Sequence, residues 1–344
     1  MLNAKFKMNS ILNLFKKNLA PLPQYLNLLP SYLCNARCRI CNIWQHNPET
    51  QQRKSDEISI PEYRALFQDP WLKELRHVSI SGGEPFIYPE LVDLIQLIPN
   101  SVVVTIATNA TVPMSTINPL LPELANRDNL YLQISIDGTE STHNLLRGLP
   151  NAYQTAIELI AAAIKYSIPF YFSMVITTLN HTELESVYQL AKQYDSFVQF
   201  NPIHPGDYYS NPELKSLSNW TDQKIEIVAT QLHQIIPDLQ ARHRIAPEET
   251  EFYTQIPEYL KSGRIQVPEC YAGRIAVYLD PYGSIFPCPV FWKEMGNIKK
   301  KNPIEVWNSN QANHVRATIA KLGCGSCWHI CQMPLNLRLS GKSK

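Results

Sequence analysis

The chain has no apolar run approaching the ~20 residues a helix needs to cross a bilayer, which excludes a membrane-spanning helix. It also lacks a strong charge of either sign. Charged residues are 18% of its 344 positions and the formal net charge is +1, so there is no electrostatic case for nucleic acid or a strongly acidic partner. The N-terminus has neither the uninterrupted apolar core nor the small-residue cleavage site of a signal peptide. It is instead basic and amphipathic (Lys5, Lys7, Ile11, Leu12, Phe15, Lys16, Lys17). Such a segment suits the outside of its own domain, and less often a membrane surface. The long middle of the chain contains no cysteine. The eight thiols fall into an N-terminal group, Cys34, Cys38 and Cys41, and a C-terminal group, Cys270, Cys288, Cys324, Cys327 and Cys331. A secreted disulfide framework would be denser and the chain shorter, so metal binding in a reducing, cytoplasmic compartment is the expectation.

The N-terminal group has the spacing C-x3-C-x2-C over Cys34 to Cys41, just after the apolar run Tyr25 to Leu33. A cubane of four irons normally takes four thiolates. Three on one loop, with no fourth nearby, would hold three irons and leave one open, and an open coordination position separates a catalytic centre from a closed structural one. Structural zinc or a redox thiol pair is the plainer alternative, but zinc knuckles space their cysteines differently.

From Leu28 to about Phe200, short β-branched runs alternate with amphipathic ones. Strands are expected at Leu29–Cys34, His77–Ser81, Val102–Thr108, Leu130–Ile136, Pro169–Ile176 and Phe197–Phe200. Helices are expected from Pro61, with Ser59 and Glu62 as a capping-box pair; from about Tyr153, with Ile157, Ile160, Ala161 and Ile164 on one face; and from Asn180, with Glu183 three residues on. Six strands alternating with helices call for parallel pairing through right-handed crossovers. The expected fold is α/β: a partial (β/α)6 TIM-like barrel, two units short of closure, followed by a small cysteine-rich C-terminal domain. A doubly wound open sheet is the alternative. The divisions are an amphipathic extension over 1–27, the barrel over 28–203, a helical bridge over 204–267, the cysteine-rich domain over 268–334 and a tail over 335–344. In either fold the ligand site lies at the carboxyl ends of the strands, which is where the three cysteines sit.

The next three strand ends carry unusual chemistry. Strand two runs into Ser81-Gly82-Gly83-Glu84-Pro85, where paired glycines permit close backbone approach and Glu84 offers a carboxylate to an ammonium group. Strand three ends in Thr108-Asn109. Strand four ends in Ser135-Ile136-Asp137-Gly138, followed by His143 and Arg147-Gly148. Each alone is an ordinary βα turn, and for His143 a surface or core role outweighs a functional one. Together, beside a thiol triad, they resemble the radical S-adenosylmethionine (radical SAM) enzymes from about Tyr32 to the last cysteine. The C-x3-C-x2-C loop is similar to that family's cluster loop. Ser81 to Pro85 resembles its Gly-Gly-Glu-Pro motif at the methionine amino group, and Ser135 to Gly148 its segment near the ribose and methionine carboxylate. One departure is Ile40, where the family usually has an aromatic residue before the third cysteine.

In the C-terminal group, Ile275–Leu279 alternates as a strand and Ser284–Pro287 returns, with Asp280-Pro281-Tyr282-Gly283 as the turn. An antiparallel hairpin brings Cys270 and Cys288 together despite 17 intervening residues. Cys324, Cys327 and Cys331 supply further thiols. Five cysteines make one four-cysteine site with one over, and on spacing alone a four-thiolate zinc is as good as a cluster. Cys270, with Gly283 five residues before Cys288, resembles the opening of the SPASM and Twitch auxiliary-cluster domains, as do Gly296-Asn297-Ile298 and Ile304 to Asn308. By that resemblance Cys270, Cys288, Cys324 and Cys327 ligate a second [4Fe-4S] cluster and Cys331 is spare, with Cys327 and Cys331 interchangeable in that assignment.

The resemblance implies a [4Fe-4S] cluster held by Cys34, Cys38 and Cys41, S-adenosylmethionine on its open iron, and reductive cleavage to methionine and a 5′-deoxyadenosyl radical that takes hydrogen from substrate carbon. An electron donor such as a flavodoxin or ferredoxin-like protein is implied with it. The favoured substrate is a peptide or natural-product precursor. Dehydrogenation of a small polyol or aminocyclitol is the alternative, and a non-catalytic iron–sulfur or zinc scaffold is the reading from another class. His204 to Tyr209, after the sixth strand, are candidates to touch substrate. About 30 residues precede Cys34, too few for a fused peptide-recruiting domain, so a peptide would need a separate partner or none.

Overall fold

A computed structural model describes residues 20–46, 56–204, 206, 208–209, 213–266, 269–322 and 327–341. Cys324, Pro205, Asp207 and nearly all of the basic N-terminal segment lie outside the described residues.

Six strands pair in parallel in chain order: β1 (Tyr25–Leu28), β2 (His77–Ile80), β3 (Val103–Thr108), β4 (Leu130–Ser135), β5 (Phe170–Ile176) and β6 (Val198–Pro202). Helices occupy the crossovers, among them Ile60–Gln68, Leu91–Leu97, Glu140–Arg147, Ala152–Lys165 and Leu184–Gln193. β6 lies at one edge of the sheet, so the barrel is incomplete, as its unit count predicts. Outward-facing strand residues are apolar and fully buried under the helices: Leu26, Leu28, Val78, Ile80, Val104, Ile106, Leu132, Ile134, Phe172, Met174 and Phe200 are all at 0% exposure. That alternation, with a period of two, sets the faces of the sheet.

Three expectations need correction. The first strand ends at Leu28 rather than running over Leu29–Cys34. Residues 29–33 leave the sheet because Gly83 and Glu84 capture their carbonyls: Gly83 N–H donates to Ser31 O at 2.9 Å and Glu84 N–H to Leu33 O at 2.8 Å. The helix expected from Asn180 begins at Leu184. Asn180 Oδ1 instead closes a turn on Thr177 N at 2.7 Å, and Glu183 leaves its own helix to accept from Thr139 N at 2.6 Å. In Ala152–Lys165 the buried face is Ala152, Ala156, Leu159, Ile160 and Ala163, while Ile164 is 52% exposed. Three alanines share that face with Leu159 and Ile160. The helix at Ile60–Gln68 has its Ser59–Glu62 capping box as expected.

The C-terminal hairpin forms as expected from β7 (Ala276–Leu279) and β8 (Ser284–Phe286), extended by β9 (Gly296–Asn297). The turn carries the Gly283 N–H to Asp280 O bond at 3.1 Å. Its placement was not legible in the sequence. β7 pairs in parallel with β1, Asn27 opposite Tyr278, so the hairpin continues the barrel sheet in the order β6-β5-β4-β3-β2-β1-β7-β8-β9. Being interior to the sheet, all four β7 residues are buried.

Candidate active site

A cavity of about 270 Å³ opens at the carboxyl ends of the strands and continues down into the barrel. Cys34, Cys38 and Cys41 all line it. Their loop is held from four sides. Arg37 Nη1 donates to Cys34 O at 2.9 Å, and its guanidinium lies over the Trp44 ring at 4.5 Å. Asn109 Nδ2 reaches Asn35 Oδ1 at 3.1 Å and approaches the Cys34 sulfur at 3.6 Å. The end of helix Glu140–Arg147 docks on the loop through Arg39 N–H to Leu146 O at 2.9 Å. Asn42 N–H donates to Tyr209 O, also at 2.9 Å. Burial pushes the Cys34 thiol up to about 11 and Cys41 up to about 12, and Cys38 upward as well. Three half-buried thiols held as neutral groups would release their protons on binding a cationic metal group, the donor set a cubane requires.

The glycine pair is there for a reason different from the one the sequence suggests. A Cβ on Gly83 would fall 1.8 Å from Leu33 O and one on Gly82 2.5 Å from Ser31 O. Their bareness lets strand two's end nest against the chain leading into Cys34. Both also line the cavity, as do Thr108, Asn109, Ser135 and Arg147. Glu84 does not line it. Its carboxylate is 3% exposed and occupied: Oε1 accepts from Thr108 Oγ1 at 2.8 Å and Phe86 N at 3.1 Å, Oε2 from Asn109 N at 2.7 Å. Burial raises its pKa to about 7 against the pull of those bonds. Pro85 starts the buried turn Pro85–Ile87. Asp137, fully buried, pairs with Arg147 and accepts from Val175 N at 3.0 Å. Burial works against the Arg147 charge, and Asp137 and Cys38 outweigh it. His143 plays a structural part: Nδ1 accepts Asp137 N at 3.0 Å and the ring meets Tyr153 edge-on. Ile40 lines the cavity and packs toward Leu146 and Ile203, filling with aliphatic contact the place where an aromatic ring was expected.

Of the described C-terminal thiols, Cys331 lines the same cavity. Burial raises the Cys288 thiol to about 12, and Cys270 is near enough to raise it further, as the hairpin geometry requires. Cys327 is buried. Cys331 turns its side chain to the cavity instead. Between the two cysteine groups stand His204 and Tyr209, which the sequence offered as substrate contacts, with His329 and Tyr259, which it did not single out. His329 Nδ1 accepts Cys331 N at 3.2 Å and Nε2 meets Tyr209 OH at 3.3 Å. His204 Nδ1 meets Tyr259 OH at 2.8 Å, and the two imidazoles lie 5.2 Å apart. Burial lowers His204 to about 4 and His329 to about 3, so both are neutral near pH 7. The polar residues inside the barrel were also missed. Their signal was the alternate strand positions, which carry Asn27, Ser79, Gln133, Ser173, Gln199 and Asn201.

Residues 28–191 match the radical SAM superfamily, and residues 270–328 match the SPASM iron–sulfur cluster-binding domain. The chain belongs to the radical SAM superfamily. Mycofactocin maturase MftC of Mycobacterium tuberculosis is 24% identical over 312 residues, 87% of this chain and 74% of that protein. Among solved structures, Streptococcus suis SuiB bound to its precursor peptide SuiA superposes with TM-score 0.64 at 15% identity, covering 89% of this chain and 69% of that one. Native anSMEcpe with AdoMet and a Cp18Cys peptide gives TM-score 0.60 at 18% identity, covering 88% and 83%. The chain is thus a radical SAM enzyme whose barrel binds a [4Fe-4S] cluster and S-adenosylmethionine and whose SPASM domain binds further iron–sulfur. Among the described residues no helix is long and apolar enough to cross a membrane.

Proposed function

We propose that this radical SAM enzyme modifies a peptide. The observation that carries the reading is the convergence of three thiols, the Gly82–Gly83 turn, Thr108–Asn109 and the Asp137–Arg147 pair on one cavity that runs on into the barrel. In this reading Cys34, Cys38 and Cys41 hold the cluster. Gly82, Gly83, Thr108, Asn109, Ser135 and Arg147 receive S-adenosylmethionine, with Glu84, Pro85 and Asp137 positioning them. Bound together, the two groups supply a 5′-deoxyadenosyl radical that takes hydrogen from substrate carbon. The protein's part is to orient the substrate and keep water and stray hydrogen donors away. The aliphatic wall of Ile40, Val175, Ile203 and Ile330 and the Tyr208–Tyr209–Tyr278 cluster serve that exclusion.

Cys270, Cys288, Cys324 and Cys327 hold an auxiliary cluster, and a flavodoxin or ferredoxin-like protein in the cytoplasm supplies the electron. A peptide substrate is supported by SuiB and anSMEcpe, both of which hold one in the structures this fold resembles.

Anaerobically reconstituted protein should bind about eight irons, two four-iron clusters by the cysteine count. Replacing Cys34, Cys38 and Cys41 together with alanine should remove about half of the iron and all reductive cleavage of S-adenosylmethionine. Formation of 5′-deoxyadenosine by that triple variant would overturn the assignment. A precursor-peptide gene beside the coding sequence would favour the peptide over a sugar; a cluster of sugar-pathway enzymes there would reverse it.

A further inference from the structure

Below the thiols, the cavity enters a barrel whose interior is unlike the usual one. The core of a (β/α)8 barrel is filled with bulky branched side chains in layers. Here the inward positions that line the cavity are small or polar but for Val175 and Tyr278. Asn27 is in register with Ser79 on one side and Tyr278 on the other; Ala107 is opposite Gln133; Ser173 lies between Ser135 and Gln199; Asn201 is opposite Val175. All of these residues line the cavity. The polar interior therefore encloses space instead of closing it.

Two properties of that space define what fits. The first is its charge. Of the lining residues only Arg147 carries a permanent charge, and it is spent on Asp137; no Lys, Asp or Glu is present. Deeper than the rim assigned to S-adenosylmethionine, a charged peptide side chain would lose water and find no carboxylate, lysine or free arginine as counter-charge.

The second property is unspent hydrogen-bonding capacity. Gln133 Oε1 accepts from Tyr171 OH at 3.2 Å and Asn201 Oδ1 from Ile330 N at 3.1 Å. Those bonds orient each carboxamide so that its NH2 remains to donate into the cavity. The Ser79, Ser173 and Gln199 side chains add groups able to donate and accept. An apolar side chain placed here would strand them.

We propose that the barrel interior receives an uncharged, hydrogen-bonding residue of the peptide, one with a carboxamide or hydroxyl side chain or a bare backbone amide. Gln133, Gln199 and Asn201 are its specificity-determining side chains. The proposal rests on the peptide reading of this same site and names the residue class it takes.

The test uses the reconstituted holoenzyme with S-adenosylmethionine and without reductant, so that nothing turns over. It is immobilised and exposed to a randomised twelve-residue peptide library displayed on its own mRNA. Sequencing the retained peptides reads preference at each position. The expected result is one position at which Asp, Glu, Lys and Arg are depleted at least five-fold and Asn, Gln, Ser, Thr or Gly enriched over Leu, Val and Phe. Two variants with unchanged iron content re-aim that position: Gln199→Glu should admit Lys and Arg, and Gln133→Leu should admit aliphatic residues. Enrichment of charged or aliphatic residues by the wild type, or an unaltered preference in both variants, overturns the proposal while leaving the peptide reading intact. Retention of no peptide at all overturns the peptide reading and this inference with it.

Discussion

Glu84 Oε2 accepts the backbone amide of Asn109 at 2.7 Å, tying the end of β2 to the end of β3 beneath the first cysteine. With the Thr108 and Phe86 bonds, one carboxylate satisfies three buried donors. Its removal leaves them unpaired, at ~1–3 kcal/mol for each buried group left without a partner. Glu84→Ala should therefore lose several kcal/mol, read by urea unfolding of the metal-free protein. Glu84→Gln, which keeps one acceptor oxygen, should lose roughly half as much. Equal stability of the two variants would mean that the carboxylate does not organise this corner.

Gly83 and Gly263 separate two reasons for a glycine. Gly263 has φ +65° and nothing within 4 Å of a prospective Cβ, so Gly263→Ala should cost only the conformational strain, ~1 kcal/mol. Gly83 has no such φ, yet its Cβ would fall 1.8 Å from Leu33 O. Backbone must move to admit it, so Gly83→Ala should cost more than the ~1–3 kcal/mol of ordinary overpacking. It should also lower iron uptake at the first site, because the displaced segment carries Cys34. A thermal melt with an iron assay on both variants reads the difference.

Arg147 and Asp137 form a buried pair, 7% and 0% exposed. Deleting one partner leaves the other charge uncompensated, typically a ~3–5 kcal/mol loss. Arg147→Met should be destabilised by that order, while Arg147→Met with Asp137→Asn should recover part of it. A double-mutant cycle in urea measures the coupling. Additive losses would show that the two side chains do not depend on each other.

The rim of the cavity was legible in the sequence because Cys34, Gly83 and Ser135 fall in contiguous motifs that follow strands, while the cofactor they suit came from the family resemblance. The strands were legible because β-branched alternation repeats six times. Three things were not. Residues 29–33 looked like strand because they are apolar, and only the Gly83 and Glu84 amides, fifty residues on, draw them out of the sheet. The pairing of β7 with β1 joins residues 251 apart, which no local pattern encodes. The polar barrel interior is spread one or two residues per strand, and it becomes a lining only when the sheet curves.

Four imidazoles and two carboxyls set an acid limit on stability. Burial lowers His77, His143 and His204 to about 4 and His329 to about 3, against 6.5 for an exposed histidine. Each therefore contributes stability that is complete above ~pH 6.5 and is lost as the pH falls toward the folded value, because the unfolded chain takes the proton first. Burial raises Glu84 to about 7 and Asp280 to about 6, and these oppose the trend: their contribution is present at low pH and lost as the pH rises through those values. Over these six groups, near pH 5.5 about four protons favour the unfolded state and about two the folded one, a net of roughly two. The metal-free protein should lose stability on acidification from pH 6.5 to 4.5 at ~2 kcal/mol per pH unit. His77 is the residue with which to test this, since it lies at the amino end of β2, away from the thiols, with Nε2 on Thr105 Oγ1 at 2.9 Å. His77→Asn should flatten the slope by one proton's worth, ~1.4 kcal/mol per pH unit. A wild-type slope of zero or opposite sign in unfolding measured at pH 6.5, 5.5 and 4.5 would show that the buried imidazoles do not govern acid stability.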